Sequence, residues 1–141
     1  MMLSSHFIGE ISEQIAALAF LKLGYMVSKP LVQSSKYDFI VEINHNLYKI
    51  QVKTGQLKEE SYILFATSTS HTNTKKTINL TYTSDDVDFF VVVCEDKCYM
   101  IPISDCHKRA QRLRIKPTNN SQVNGITFAK DYILEDMVKK I

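Results

Sequence analysis

The length and composition of the chain indicate one domain with its own core. With 141 residues, of which 45% are hydrophobic, we expect a single domain over residues 1–141. The formal net charge of +2 is too small to indicate a nucleic-acid binder by itself. No run of eighteen apolar residues and no signal-peptide pattern is present, so we expect a cytoplasmic protein without a membrane partner.

The first predicted element is an amphipathic helix over about residues 5–23. Either Ser4 or Ser5 is suited to cap its first turn. Apolar side chains that recur every three or four residues predict its buried face: Ile8, Ile11, Ile15, Leu18 and Ala19. Glu10 and Glu13 lie off this stripe in the early turns, where glutamates often only complement the helix dipole.

A β-hairpin is predicted after a first short strand near residues 25–32. Residues 37–43 and 47–54 alternate between apolar and polar side chains, and Asn44-His45-Asn46 between them favours a tight reversal. A common buried face requires a register that joins one apolar set from each strand. These sets are Phe39, Val41 and Ile43 in the first strand, and Tyr48, Ile50 and Val52 in the second.

The same register collects polar side chains on the opposite face of the hairpin. We expect Asp38 beside Gln51 and Lys53, with Ile40 as the only large apolar neighbour. A purely solvated face would also give this arrangement, so the pattern alone leaves its function open.

Three further strands are predicted, over residues 62–67, 89–94 and 98–103. Residues 62–67 are apolar on both faces, which indicates a central strand. The run 89–94 is the most hydrophobic of the chain and predicts a buried strand. A short amphipathic segment over residues 133–138 closes the chain.

Basic residues are concentrated in two places, although the net charge is small. Residues 68–81, rich in Ser, Thr, Asn and His, predict a long polar loop suited to phosphate contact through Lys75 and Lys76. Five cations within nine residues, without an acid, form the second group: Lys108, Arg109, Arg112, Arg114 and Lys116. A solvated surface explains any one of them equally well. Because Arg112 and Arg114 are two residues apart, an extended segment would direct both to one side.

Cysteine use gives little evidence for a metal site. Cys94, Cys98 and Cys106 are an odd number, and no pair has the CxxC spacing of a zinc site, even with His107 nearby. We therefore expect buried or free thiols.

The hairpin motif resembles the core of the PD-(D/E)XK nuclease superfamily. That pattern joins an Asp to an (Asp/Glu/Gln)-x-Lys motif across a hairpin, and here it reads Tyr37-Asp38 and Gln51-Val52-Lys53. The Gln-x-Lys variant is similar to that of the small group I intron homing endonucleases. Further segments follow in the order of that branch: residues 82–92, 99–102, 112–114 and 126–132.

The resemblance implies a fold and a set of residue roles. The fold would be α/β, with a mixed, mainly antiparallel central sheet flanked by helices. The activity would be a Mg²⁺-dependent DNA endonuclease, with Mn²⁺ as a substitute. Asp38 would be the main metal ligand, Gln51 a second through its side-chain oxygen, and Val52 a third through its carbonyl. Lys53 would contact the phosphate or the attacking water, and Glu13 would orient water or metal.

Several alternatives stay open. Gln51 lacks the charge of the usual Asp or Glu, so metal affinity should be lower, and an inactive fold that only binds DNA is compatible with it. A Holliday-junction-resolvase-like enzyme and a repair- or restriction-type nuclease share the core. The sequence also leaves open whether Glu10 or Glu13 supplies the helix carboxylate.

The size of the chain has a consequence for a homing-type enzyme. A domain of this length has a radius of gyration of about 14 Å and covers about ten base pairs of double-stranded DNA. A long duplex site therefore requires assembly, and we expect a dimer or tetramer of identical chains.

Overall fold

The computed structural model describes residues 2–33, 35–72 and 77–141. Within these residues the chain forms helix α1 (Ser5–Lys22), helix α2 (Leu134–Val138) and ten strands: β1 (Met26–Ser28), β2 (Phe39–Ile43), β3 (Asn46–Thr54), β4 (Gln56–Lys58), β5 (Tyr62–Ala66), β6 (Ser68–Thr72), β7 (Thr77–Thr81), β8 (Phe89–Cys94), β9 (Lys97–Pro102) and β10 (Ala110–Arg114). Short 3-10 helices lie at Ile103–Asp105 and Ala129–Asp131. None of the helices in the described ranges is long and apolar enough to cross a membrane.

The largest sheet, hereafter the main sheet, has five strands in the order β1-β2-β3-β8-β9. Every neighbouring pair is antiparallel except β3 and β8, which run parallel. Helix α1 packs on one face of this sheet, where Phe20 and Phe39 meet edge to face. The predicted mixed, mainly antiparallel sheet is therefore confirmed.

The central hairpin forms in the predicted register. Phe39 pairs with Ile50 and Val41 pairs with Tyr48, so the two apolar sets share one face. The reversal contains two residues, Asn44 and His45, with φ angles of 51° and 68°. A two-residue hairpin turn with positive φ at both positions matches the twist of its strands, and Asn tolerates that conformation well.

A second sheet of three strands has the order β10-β5-β4. Strand β5 was predicted to be a central strand because both of its faces are apolar. It is the middle strand of the second sheet and does not belong to the main sheet. Only its Ile63 and Phe65 side chains are buried, against the apolar residues of β8. Apolar composition did not distinguish burial on two faces from burial on one.

The polar segment 68–81 was predicted to be a loop, and this prediction is wrong for its two ends. Strands β6 and β7 pair antiparallel, from Ser68 with Thr81 to Thr72 with Thr77. Threonine favours strands through its branched Cβ, and this preference outweighs the polar composition. Lys75 and Lys76, predicted to contact phosphates, lie outside the described residues.

Helix α1 has the predicted length but not the predicted buried face. The residues that it buries are Ser12, Ala16, Ala17 and Phe20. The predicted stripe is instead largely exposed, with Ile8, Ile11 and Leu18 all open to solvent by 40% or more. Small side chains bring the helix backbone close to the sheet, and an apolar count overlooks such residues. Helix α2, by contrast, buries Leu134, Met137 and Val138 within the segment predicted to be amphipathic.

Candidate active site

Asp38 lies immediately before β2 and is held by the backbone of β3. Its amide donates to the carbonyl of Ile50 (2.8 Å), and its Oδ2 accepts a hydrogen bond from the amide of Val52 (2.7 Å). Burial raises the pKa of the Asp38 carboxyl to about 6, and the nearby Glu13 adds to this. The Val52 amide and Lys53 act in the opposite direction. Ionisation of Asp38 therefore lowers the stability of the folded state.

Gln51 and Lys53, two members of the predicted polar cluster, lie on one face of β3. Their partners in the parallel strand β8 are Phe90 and Val92, so both side chains emerge beside apolar neighbours. Burial lowers the pKa of Lys53, and the charge of Asp38 partly offsets this. In the described part of the chain no carboxylate lies within 4.0 Å of the Lys53 ammonium.

Glu13 approaches the same site from α1. Its carboxylate pairs with the Lys29 ammonium at 3.1 Å, and only 18% of the Glu13 side chain is exposed. Glu13 raises the pKa of Asp38 more than Glu10 does, which favours Glu13 as the helix carboxylate. Sequence reasoning missed Lys29, since nothing in the order of residues predicts this pairing.

One hydrogen bond joins α1 to β3 beside the site. The hydroxyls of Ser12 and Thr54 are 2.7 Å apart, and Ser12 is buried. Ser12 precedes Glu13 and Thr54 follows Lys53, so the bond fixes the helix carboxylate relative to the strand lysine. The one polar residue on the buried face of α1 was the available signal in the sequence.

Tyr82 is a second contact that sequence reasoning did not assign. The Lys53 ammonium lies 3.4 Å from the Tyr82 hydroxyl and 4.9 Å from the centre of its ring. The ring also packs edge to face against Phe90, with centroids 5.5 Å apart. Burial and the charge of Asp38 raise the pKa of Tyr82. Tyr82 directly follows β7, so it connects the β6–β7 hairpin to the lysine.

Other acidic residues near the site have structural partners. Asp88 accepts a hydrogen bond from the Lys49 amide (2.8 Å), which ties the loop before β8 to β3. Asp86 accepts from the amide and hydroxyl of Thr83 and pairs with Lys36 at 3.4 Å. The backbone hydrogen bond from Thr83 is the main reason that the pKa of Asp86 is lowered.

The residue types at this site include the oxygen donors that a hard divalent cation prefers. The side chains of Asp38, Gln51 and Glu13 and the carbonyl of Val52 all offer oxygen, which Mg²⁺ prefers. No group of three His, Cys, Asp or Glu side chains suited to a metal occurs among the described residues. An ion here would rest on one or two carboxylates, neutral oxygens and water, because Gln51 brings no charge.

The predicted basic cluster lies on and around β10, in the second sheet. Arg112 and Arg114 fall within this strand, so the segment is extended, as predicted. The Arg112 guanidinium lies 4.7 Å from the centre of the Tyr62 ring. Arg114 donates from Nε to the carbonyl of Lys116 at 2.8 Å. Lys108 and Arg109 are exposed, and Lys116 faces Glu60 at 3.8 Å.

The three cysteines were expected to be buried or free thiols and not zinc ligands. Cys94, Cys98 and Cys106 are free thiols, and the first two are buried. Burial raises the pKa of Cys98 to about 11 and that of Cys106 to about 12, so these thiols are poor nucleophiles.

The comparison with protein families decides the class of the chain. A family model described as PD-(D/E)XK endonuclease matches residues 3–135. The chain belongs to the PD-(D/E)XK endonuclease family. This membership confirms the superfamily that the hairpin motif indicated, and it supports a nuclease.

Comparison of folds gives a consistent result. The chain is similar to a solved structure described as a bacterial homing endonuclease, I-Ssp6803I, with 24% sequence identity and a TM-score of 0.77. The similarity covers 98% of this chain and 95% of that one. It confirms the predicted fold. No curated protein gives a significant match.

Proposed function

We propose that the protein is a metal-dependent DNA endonuclease that hydrolyses phosphodiester bonds at a long duplex site, in the manner of a homing endonuclease. The observation that supports this most is the pair Asp38 and Lys53. A carboxylate and an ammonium share a half-buried sheet face, each with a pKa displaced by burial. Such an arrangement destabilises the fold and is typical of functional sites.

Each residue of the site has a distinct role in this proposal. Asp38 would be the main ligand of Mg²⁺, for which Mn²⁺ would be a substitute, and Gln51 and the Val52 carbonyl would supply neutral oxygens. When bound, the cation would supply positive charge at the scissile phosphate and lower the pKa of a bound water. Lys53 donates a hydrogen bond to a phosphate oxygen, where negative charge develops. Glu13 orients the attacking water or the metal.

Tyr82 and Lys29 act as positioning residues. The Tyr82 ring and hydroxyl hold the Lys53 side chain in one direction, and the Phe90 contact holds the ring. Lys29 neutralises the charge of Glu13 in the protein without DNA or metal. Without this ion pair, the carboxylates of Glu13 and Asp38 would repel one another.

Self-association into a dimer or tetramer is part of the proposal. Two strands of opposite polarity have to be cut, and a twofold arrangement places one site on each. Helix α1 supports this with apolar side chains that are 45 to 65% exposed: Phe7, Ile11, Leu18 and Leu21. A second copy of the chain is the occupant that the cleavage geometry favours for this face.

Incubation with Mg²⁺ and sheared genomic DNA, followed by sequencing of the cut ends, tests the proposal. We expect the ends to collect at a long, partly symmetric sequence, and we expect chelator to abolish cutting. A four-way junction of arbitrary sequence serves as the second substrate. Cleavage of the junction alone would replace the homing-type function with a resolvase-type one, and binding without cleavage would indicate an inactive fold.

Light scattering on the wild type and on Leu18→Glu/Leu21→Glu tests the assembly. We expect a dimer or tetramer that the double substitution converts to monomer. A wild-type monomer that cuts both strands would contradict this part of the proposal.

A further inference from the structure

The second sheet has one buried face and one face that points away from the core. Its strands β10, β5 and β4 pair so that equivalent positions lie in rows across the sheet. One set of rows is directed inward and contains the buried Ile63, Phe65, Gln111 and Leu113. The alternate rows form the outer face: Gln56, Lys58, Tyr62, Leu64, Ala66, Ala110, Arg112 and Arg114.

The outer face has a composition suited to the edges of nucleic-acid bases. It offers an amide, an ammonium, two guanidinium groups, a tyrosine ring and three aliphatic side chains, and none of its three strands carries an acid. Four residues of the outer face are exposed: Gln56, Ala66, Ala110 and Arg112. The end that carries the two alanines has small side chains, so DNA can approach the sheet closely there. Guanidinium groups pair with guanine, amides with adenine, and aliphatic groups with the thymine methyl.

The two arginines of the outer face are held in defined directions. The Arg112 guanidinium lies over the Tyr62 ring, 4.7 Å from its centre, and this cation–π contact restricts where the side chain points. Arg114 donates from Nε to the carbonyl of Lys116 and from Nη2 to that of Pro117 (3.5 Å). A fixed planar donor pair suits bidentate recognition, whereas nonspecific phosphate contact requires only positive charge.

The chain connects the outer face directly to the candidate active site. Strand β4 begins three residues after Lys53, and Gly55 makes the crossing between the two sheets. A Cβ on Gly55 would lie 2.5 Å from Cγ2 of Ile63 and 2.9 Å from Cγ1 of Val92, so the sheets approach closely here. Three extended residues span about 10 Å, which corresponds to roughly three base-pair steps along duplex DNA.

From this geometry we propose that the outer face of the second sheet enters the major groove and reads base edges about three base pairs from the cut. At about 4.8 Å per step, the axes of the two outer strands, β10 and β4, lie about 10 Å apart, and the major groove is about 12 Å wide. The inference rests on the proposed endonuclease function. Beyond that function, it assigns the surface that selects the DNA sequence, and Arg112 and Gln56 are the first two residues that we expect to contact bases.

Substitutions that keep or remove the charge of Arg112 test the inference. Wild type, Arg112→Lys, Arg112→Ala and Gln56→Ala are incubated with Mg²⁺ and a randomised duplex library, and both cut and bound DNA are sequenced. Arg109→Ala is the matched control, since Arg109 is exposed and precedes β10. Thermal melts confirm that each variant folds.

We expect Arg112→Lys and Arg112→Ala to lose about ten- to hundred-fold discrimination at one or two positions near the cut. Gln56→Ala should lose discrimination at a neighbouring position. Arg109→Ala should weaken binding equally for all sequences and make its salt dependence shallower. Full retention of the sequence profile by Arg112→Lys would overturn the inference, because charge alone would then suffice.

The two proposals fail in different ways. A wild type that cuts duplex without sequence preference leaves the endonuclease function intact and overturns the role of the outer face. A wild type that does not cut overturns the enzymatic proposal. The sequences of the bound DNA then still test the inference. A base preference that Arg112→Lys removes would support it, and the absence of such a preference would overturn it.

Discussion

The main sheet and the second sheet use cationic side chains in opposite ways. In the main sheet Lys53 is half-buried beside Asp38, and burial displaces the pKa of each group. In the second sheet Arg112 is exposed and stacked on Tyr62. Burial makes a charge chemically responsive at a cost in stability, whereas exposure leaves it available to a partner. If both proposals hold, the main sheet carries the reacting surface and the second sheet carries the recognising one.

The strongest test of this division is to remove a charge from the main sheet. Asp38→Asn and Lys53→Ala should each lower cleavage by at least about 10³-fold, because both act on charge that develops at the phosphate. DNA binding should be equal or tighter for Asp38→Asn, which no longer repels phosphate. Lys97→Ala, an exposed lysine at the start of β9, is the control.

Wild-type cleavage in either variant would show that the polar face of β3 has only a structural role. Unfolding of both variants would do the same. The division between the sheets would then disappear.

A second test measures the cost of the buried charge in metal-free protein. The folded-state pKa of Asp38 is about 6, above its ordinary value of 3.8, so the folded state binds the proton more tightly than the unfolded state does. The contribution of Asp38 to stability is therefore greatest below its unfolded-state pKa of 3.8 and is lost as pH rises through about 6. Asp38→Asn keeps an acceptor for the Val52 amide, and should be more stable than wild type by about 1 to 3 kcal/mol at pH 7.5.

This difference should vanish below about pH 3, where Asp38 is protonated in both states. Urea unfolding at both pH values, in chelator, gives the measurement. An advantage that is independent of pH would mean that the carboxylate is solvated, contrary to the structure.

The outcome for these two sheets shows what the sequence could predict. The hairpin register followed from alternation, since only one register buries both apolar sets, and it leaves Gln51 and Lys53 on the opposite face of β3. The second sheet was not predicted as a unit. Its three-residue strand β4 is too short for a periodic signal, and its pairing with β5 and β10 depends on contacts distant in sequence.

The contacts that refine the site were also beyond sequence reasoning. Tyr82 meets Lys53 from 29 residues away, and Ser12 meets Thr54 from 42. The buried face of α1 was misjudged because Ala16 and Ala17 allow close packing, while larger apolar residues remain outside. Such long-range choices depend on how elements pack, and local periodicity does not contain them.

Tyr82 tests whether the β6–β7 hairpin influences the lysine. Tyr82→Phe keeps the ring over the ammonium and should lower kcat by less than about threefold. Tyr82→Leu removes the ring, and should lower kcat by about tenfold, because a cation–π contact contributes about 1 kcal/mol or more when shielded from water. KM should be unchanged in both, since the binding surfaces are intact. Equal effects on kcat and KM would indicate general disruption of the hairpin.

The smallest expected effect concerns the bond between Ser12 and Thr54. Ser12→Ala should cost about 1 kcal/mol of stability, the usual contribution of one hydrogen bond, and Thr54→Val should cost a similar amount. The double variant should cost less than the sum, because the two hydroxyls bond to each other.

In either single variant, cleavage should fall severalfold while the sequence profile of the cut sites stays that of wild type, because the bond positions Glu13 against Lys53 and does not touch β5 or β10. Melting curves and sequencing of cut ends, run on the same samples, separate these effects. A change in sequence profile from Ser12→Ala would show that the two sheets are mechanically coupled, and that reaction and recognition are not divided between them.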